Sequence, residues 1–261
     1  MPRITAISAR DNPLVARMRR LAAHPDAYRR QGRIWLEGEH LCEAWLARGG
    51  ADAQALIAES AWTRPAWHRL ARRADAVAVL PDALMRDLSA LDSPSLLAFS
   101  VPWPGVGTLC AGAPTVVLDR LQDTGNVGTL LRSAAAFGCT QVVALKGTAA
   151  LWSPKVLRAA MGAHFSLTLV ESLDPEVLDA IEVPLIATSS HAATPLHEAT
   201  LPWPCAWVFG HEGQGIAQAL LRRCALTVRI QQPGGEESLN VASAGAICLW
   251  ESARRRLLDR A

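Results

Sequence analysis

Short apolar segments alternate with amphipathic ones along the chain. Residues 115–119 are continuously apolar up to a final aspartate, which is typical of a central parallel strand. Before them, the pattern predicts strands at 33–37, 53–58, 76–80 and 96–101 and helices at 13–23, 39–48, 65–73 and 82–91. After them, it predicts strands at 141–145, 166–170, 184–188, 206–209 and 226–230 and helices at 127–137, 154–161, 175–181, 216–223 and 239–256. This alternation predicts α/β structure throughout.

Residues 102–114 interrupt the alternation. Three prolines and three glycines fall in this stretch, which therefore cannot hold a regular element. The sequence thus predicts a smaller α/β domain at 1–101, a linker at 102–114 and a larger α/β domain at 115–261.

Composition narrows the class of protein. Half of the 261 residues are hydrophobic and 19% are charged, as in a folded protein. No apolar run approaches the roughly 20 residues of a membrane span, and the N-terminus lacks the apolar core of a signal peptide. We therefore expect a cytoplasmic protein with no membrane partner. The six cysteines are scattered and the seven histidines lack zinc-site spacing, so we expect buried free thiols and no metal.

Positive charge is concentrated at the N-terminal end. The chain has a net charge of +2, but residues 1–33 hold eight arginines and two aspartates, a net of 8 − 2 = +6. Such a basic end indicates a phosphate-rich partner. The alternative is an ordinary solvated helix face.

The first candidate site follows the strand at 115–119. A glycine loop with Gly125 and Gly128 leads into a helix, which Asn126 could cap. A ligand site commonly forms where a parallel strand ends in this way. Arg132 lies in the apolar helix and needs a carboxylate or a phosphate as its partner; Asp119 and Asp123 are the structural alternatives.

Two further loops have the same character. The strand at 206–209 runs into Gly210, Gly213 and Gly215, with Glu212 among them. The strand at 226–230 runs into Gly234-Gly235 and then into three polar residues, Glu237, Ser238 and Asn240, and the next helix is predicted to begin near Ser238. The three loops would converge at one edge of a parallel sheet. A dinucleotide-binding site is disfavoured because no G-x-G-x-x-G is present, and the pattern alone names no ligand.

The three loops, in this order, resemble the three motifs of SpoU-type (TrmH-like) RNA 2′-O-ribose methyltransferases of the SPOUT superfamily. The first is Gly125-Asn126-Val127-Gly128 with Arg132, the second runs from Phe209 to Gly215, and the third is Glu237-Ser238-Leu239-Asn240-Val241. The resemblance covers about residues 115–256. Residues 1–101 resemble the substrate-binding domain often fused ahead of such enzymes.

The resemblance implies a fold and a cofactor. The C-terminal parallel sheet would be threaded as a trefoil knot, an exception to the usual unknotted topology. S-adenosyl-L-methionine would bind in the knot, at four positions carried over by motif: Thr188, Gly210, Ile230 and Leu239. Gly210 would allow close approach of the cofactor, because glycine has no Cβ.

The resemblance also implies chemistry and partners. Catalytic positions would be Asn126, Arg132, Glu212, Ser238 and Asn240. The N-terminal arginines would contact RNA, through Arg17, Arg20, Arg29, Arg30 and Arg33. The substrate would be ribosomal RNA, with transfer RNA or an inactive RNA-binding protein as alternatives, and the protein would be a homodimer.

The chain departs from the family pattern at three positions. Gln231 and Gln232 stand where Pro-Met is usual, and Glu236 replaces an apolar residue. All three lie in the predicted cofactor loop, so cofactor affinity is the property that they affect.

Overall fold

The predicted alternation of strands and helices is present in the structure, a computed structural model that describes residues 1–235 and 238–258. The strands are β1 (Arg3–Ala6), β2 (Arg33–Glu37), β3 (Gln54–Ala58), β4 (Ala76–Leu80), β5 (Leu97–Pro102), β6 (Thr115–Asp119), β7 (Gln141–Leu145), β8 (Thr168–Leu173), β9 (Leu185–Thr188), β10 (Thr194–Pro195), β11 (Ala206–Gly210) and β12 (Leu226–Arg229). The helices are α1 (Pro13–Ala23), α2 (Ala27–Gln31), α3 (Glu39–Ala47), α4 (Glu59–Trp62), α5 (Pro65–Ala71), α6 (Asp82–Arg86), α7 (Thr124–Ala136), α8 (Pro154–Ala160), α9 (Gln218–Leu221) and α10 (Val241–Leu258). Two 3-10 helices span Ala163–Ser166 and Pro175–Ala180.

Most predicted elements are confirmed within a few residues of their bounds. The sequence did not predict β1, β10, α2 and α4, which have two to five residues each. Elements this short contain too few periods of the apolar pattern to be recognised. The helix predicted at 175–181 is a 3-10 helix, and α6 ends five residues before its predicted end.

The structured residues form two units that differ from the predicted domains. The first unit comprises residues 1–105 and 152–165, and the second comprises residues 106–151 and those from 166 onward. The sequence assigned 152–165 to the C-terminal domain. In the structure α8 packs on β2, and its side chains Val156 and Leu157 are fully buried. Helical spacing marks this segment as a buried helix but does not indicate which core buries it.

The predicted linker is divided between the units. At its start, β5 extends through Pro102, and Trp103 N–H donates to the carbonyl of Gly32 over 2.9 Å. Further on, Gly107 N–H donates to the carbonyl of Leu169, also over 2.9 Å. Its backbone is thus held by hydrogen bonds in spite of its proline and glycine content.

The first unit is built on a mixed sheet. Its strand order is β1-β4-β3-β5-β2, in which β5 runs antiparallel to both neighbours and the other pairs are parallel. Glu37 at the end of β2 is buried and accepts hydrogen bonds from Trp35 Nε1, Ser89 Oγ and the Ser95 backbone N–H. A buried carboxylate with this many donors anchors the surrounding loops.

The second unit is built on a parallel sheet. Its strand order is β10-β12-β9-β11-β6-β7-β8, and every pair between neighbours is parallel. Strand β6 lies between β11 and β7, and all five of its residues are buried, as its apolar run predicted. Helix α10 packs on α7 and β11. None of the helices in the described ranges is long and apolar enough to cross a membrane.

Candidate active site

Four neighbouring parallel strands of the second unit, β12, β9, β11 and β6, end at one edge of the sheet. A pocket of about 320 Å³ opens at this edge. It brings together the four residues predicted to bind the cofactor, namely Thr188, Gly210, Ile230 and Leu239. Ser238, Asn240 and Glu212 line it as well. The convergence of the second and third loops, predicted from their positions after parallel strands, is therefore present.

A chain of hydrogen bonds joins the three loops. The amide of Asn240 donates to Asn126 Oδ1 over 2.9 Å, and the amide of Asn126 donates to Glu212 Oε1 over 3.2 Å. These residues are more than 80 positions apart in each pair. Because each comes from a different predicted motif, the contacts bring the three motifs together through side-chain amides and one carboxylate.

Glu212 is the acceptor at the end of this chain. Its carboxylate also accepts from the backbone N–H groups of Gln122, at 3.3 Å, and Asp123, at 3.1 Å. Desolvation acts to raise the pKa of Glu212, but the hydrogen bonds from its own backbone N–H, Asn126, Asp123 and Gln122 outweigh it and lower the pKa. The side chain is thus held ionised and fixes the second loop to the first.

Asn240, and not Ser238, caps the last helix. Its Oδ1 accepts from Ala242 N–H at 2.9 Å and from Ser243 N–H at 3.2 Å, and α10 begins at Val241. The predicted cap at Ser238 is therefore wrong and the helix begins slightly later, because Asn is as good an N-cap as Ser and lies closer to the apolar run.

Ser238 is left lining the pocket. Of the residues noted beside it, Glu236 and Glu237 lie outside the described residues.

The cap of α7 also differs from the prediction. Asp123 Oδ1 accepts from the backbone N–H of Asn126 at 2.7 Å, and the helix begins at Thr124. The side chain of Asn126, expected to cap the helix, is therefore available for the contacts with Asn240 and Glu212 described above.

Arg132 does not lie in the apolar face of α7. Its side chain is exposed, and within the described ranges it has no hydrogen bond or ion pair. The two carboxylates considered as its partners are occupied elsewhere, since Asp119 binds Arg120 and Asp123 caps α7. The structure does not place Arg132 among the residues that line the pocket. A cation without a protein partner remains free to bind a phosphate.

Asp119 and Arg120 form a contact that the sequence analysis missed. Asp119 is buried and accepts from Ala217 N–H at 2.7 Å, while Arg120 binds Asp119 at 2.9 Å and Gln214 Oε1 at 3.0 Å. Together they fix the loop after β11 to the end of β6. An aspartate that ends an otherwise apolar central strand was the available signal, because a buried carboxylate requires partners.

Gly210 is required for a reason that the sequence did not predict, in addition to the expected approach of the cofactor. A Cβ at this position would lie 2.3 Å from the backbone of Gly215 and Ile216. The close approach is thus made by the protein's own loop, and a side chain here would distort that loop before it met any cofactor.

Two polar groups of the pocket are suited to a ligand. His211 Nδ1 accepts from Gly213 N–H at 3.0 Å and Gln214 N–H at 3.2 Å, which orients its ring at the pocket wall and leaves Nε2 as the protonated nitrogen of the neutral ring. Gln232, one of the departures from the family pattern, also lines the pocket, and its buried Oε1 has no hydrogen-bond partner among the residues that the structure describes. Buried polar atoms of this kind usually have a partner.

The N-terminal arginines form a separate group on the first unit. Arg17, Arg20, Arg29 and Arg30 are exposed, as a contact surface requires. Arg33 is not: its guanidinium donates to Asp52 Oδ2 at 2.8 Å and to Ser100 through Nε at 2.9 Å and Nη2 at 2.8 Å. Because most of its donors are occupied, Arg33 cross-links the ends of β2, β5 and the turn before β3.

The fold and the pocket define a class of protein, an α/β enzyme that binds its ligand at the carboxyl edge of a parallel sheet. Residues 113–250 match the family model described as the SpoU rRNA Methylase family. The chain belongs to this family.

Solved structures of RNA methyltransferases align with nearly the whole chain, and a sequence relative aligns with about half of it. The 23S rRNA (guanosine(2553)-2′-O)-methyltransferase RlmP of Bacillus subtilis is 34% identical over 54% of this chain and 58% of its own. The crystal structure of an RNA 2′-O ribose methyltransferase superposes with a TM-score of 0.82 and 32% identity, covering 97% of this chain and all of that one. AviRb from Streptomyces viridochromogenes, in complex with AdoMet, has the same fold, with a TM-score of 0.85 and 24% identity over 94% of this chain and 98% of that one.

Proposed function

We propose that the protein transfers a methyl group from S-adenosyl-L-methionine to a ribose 2′-hydroxyl of ribosomal RNA. The observation that carries this proposal is the hydrogen-bonded series Asn240–Asn126–Glu212, which unites the three family motifs beside one pocket. Family membership and the ribosomal RNA substrate of the Bacillus relative support it.

The pocket fits the proposed cofactor. About 320 Å³ lies at the lower end of the roughly 300–1,000 Å³ typical of ligand sites. The pocket offers backbone at three strand ends, the apolar Ile230 and Leu239, and the Oε1 of Gln232, which has no partner among the described residues. These groups supply the apolar surface and hydrogen bonds that an adenosine and an amino acid require. When bound there, the cofactor supplies an electrophilic methyl group.

The protein's contribution to the reaction is alignment and charge stabilisation. With the cofactor held in the pocket, the methyl group would pass from its sulfonium to the 2′-oxygen, S-adenosylhomocysteine would be released, and the hydroxyl proton would pass to water. Asn126, Asn240 and Ser238 would hold the ribose, and alignment alone supplies much of such a rate. The exposed Arg132 would bind the neighbouring phosphate and stabilise charge developing on the oxygen, because a guanidinium stays protonated in proteins.

A homodimer formed through the second unit is part of the proposal. Helix α10 exposes Ile247 and Trp250, which are 41% and 45% accessible and lie three residues apart on one face. Exposed apolar groups that are neighbours on a helix indicate a protein contact.

Light scattering should give twice the chain mass, and Trp250→Glu should give a monomer. A wild-type monomer at micromolar concentration would contradict the proposed dimer.

A transfer assay separates the candidate substrates. The protein is incubated with tritiated S-adenosylmethionine and either ribosomal or transfer RNA from cells that lack its gene. Label is expected in ribosomal RNA. Label confined to transfer RNA would show that transfer RNA, and not ribosomal RNA, is the substrate. Cofactor binding without label in either RNA would indicate an inactive RNA-binding protein.

A further inference from the structure

A second pocket lies on the sheet of the first unit. It has a volume of about 300 Å³. Arg3 on β1 and Gln54 on β3 both pair with Ala76 on β4, which lies between them. Two residues further along the strands, Thr5 pairs with Ala78. Side chains two residues apart on a strand point to the same face, so all five belong to one face of the sheet.

Small side chains make the floor of this pocket. Ala76 and Ala78 both line it, and they leave space that larger strand residues would fill. One wall comes from the start of α1, where Asn12 and Leu14 line the pocket. The sheet face is therefore open beside the start of α1.

The rim carries polar groups with unused hydrogen-bonding capacity. Asn12 Oδ1 accepts from Leu14 N–H at 2.9 Å, and the Gln54 amide donates to the carbonyl of Ala55 at 3.1 Å. Among the described residues, the Asn12 amide hydrogens and the Gln54 oxygen have no partner. The Arg3 guanidinium and the Thr5 hydroxyl have no side-chain partner in the described part of the chain. The rim thus offers donors, acceptors and one cation.

We propose that this pocket binds one unpaired nucleotide of the RNA substrate. Asparagine and glutamine side chains match the mixed donors and acceptors of a base edge, and RNA is read mainly through unpaired bases. Arg3 then binds the adjoining phosphate. The exposed Arg17 and Arg20 on α1 give the same unit further positive charge for the backbone that follows. This inference rests on the proposed RNA substrate.

The decisive pair of variants lies on β1. Thr5→Phe fills the pocket, whereas Ile4→Phe adds the same ring to the opposite, exposed face of β1 and serves as its control. Gln54→Ala removes a rim acceptor without adding bulk. Each full-length variant is titrated with fluorescein-labelled oligouridylate and with a double-stranded RNA over a range of salt concentrations.

Filling the pocket and removing a phosphate contact should affect RNA binding differently, the first through its affinity and the second through its salt dependence. Thr5→Phe should weaken binding of the single strand by about tenfold, with an unchanged salt dependence, because a base contact releases no counterion. Ile4→Phe should bind as the wild type does. Arg3→Gln should reduce the slope of log K against log salt by about 0.7, as the loss of one phosphate contact predicts. Photo-crosslinks from 4-thiouridine should fall on Thr5 or Gln54.

The outcomes also separate this inference from the function on which it rests. Equal binding by Thr5→Phe and Ile4→Phe, with Gln54→Ala unaffected, would overturn the nucleotide pocket and leave the methyltransferase proposal intact. Failure of the wild type to bind or methylate any RNA would overturn both. The melting temperature and the S-adenosylmethionine affinity should be the same in all variants. If Thr5→Phe lowers either of them, the RNA binding of Gln54→Ala decides the test instead.

Discussion

Single residues in the site have roles that their motifs did not specify. Motif positions located Asn126, Glu212 and Asn240, but their mutual hydrogen bonds became evident only when the loops were in place. Gly210 lines the pocket as predicted, but the sequence did not show that the backbone of Gly215 and Ile216 folds back against it. Sequence indicates which residue types meet at a strand end; it does not indicate which group fills the space beside them.

Glu212 should act through its charge. Glu212→Gln keeps the shape but loses the carboxylate that accepts from Gln122 N–H, Asp123 N–H and Asn126. Hydrogen bonds to a charged group contribute roughly 1.5–3 kcal/mol each when buried, and this partly exposed group should give less, about 1 kcal/mol in total. Methyl transfer should fall by about tenfold or more. Wild-type turnover by Glu212→Gln would show that the carboxylate is not needed to join the loops.

Arg132 should affect RNA and not the cofactor. Since its side chain is exposed and absent from the pocket lining, Arg132→Ala should leave S-adenosylmethionine affinity unchanged in calorimetry. Methyl transfer should fall by about a hundredfold, the size of effect typical for a lost charge-stabilising donor. Arg132→Lys should restore part of it. Near-normal transfer by the alanine variant would exclude Arg132 from the reaction.

At the scale of elements, the strands were the most predictable part. Apolar runs identified nearly all the strands of the second unit because parallel strands are buried on both faces. Helix starts were less predictable, since Asp123, Asn126, Ser238 and Asn240 are all acceptable caps and tertiary contacts choose among them. Helix α10 is further fixed by Glu251, which binds Arg254 at 2.7 Å and Arg255 at 2.7 Å.

This ion-pair cluster predicts a dependence of stability on pH. The hydrogen bonds from Arg254, with the one from Arg255, lower the pKa of Glu251 to about 2. A carboxyl with a lowered folded-state pKa stabilises the fold above its unfolded value of about 4.3, and the contribution is lost as pH falls towards 2. Glu251→Gln should therefore lower the melting temperature at pH 7 and narrow its difference from wild type below pH 4. An equal difference at both pH values would contradict this role.

The two units of the chain do not follow one another along the sequence, as the predicted domains do. The sequence predicted a separate domain at 115–261. In the structure, residues 152–165 belong to the first unit, and removal of residues 1–112 would leave Val156, Leu157 and Ala160 without the core that buries them. No local sequence pattern shows that residues 152–165 belong to the first unit. The knotted threading that the family resemblance implies stays a prediction.

A truncation tests this division of the chain. A protein beginning at Ala113 should expose apolar surface, bind a hydrophobic dye and unfold at a lower temperature than the full chain. Replacing Val156, Leu157 and Ala160 by polar residues should relieve dye binding in the truncated form and destabilise the full chain. A truncated protein that melts cooperatively, without dye binding, would show that the second unit does not depend on the first.

The most direct test of the central claim is the position of the transferred methyl group. Ribosomal RNA from cells without the gene is incubated with the protein and S-adenosylmethionine that carries a deuterated methyl group, digested to nucleosides and measured by mass spectrometry. The account predicts the label on the ribose fragment of one nucleoside, at a site resistant to alkali, and its loss with Arg132→Ala. Label on a base fragment, or no label despite cofactor binding, would contradict it.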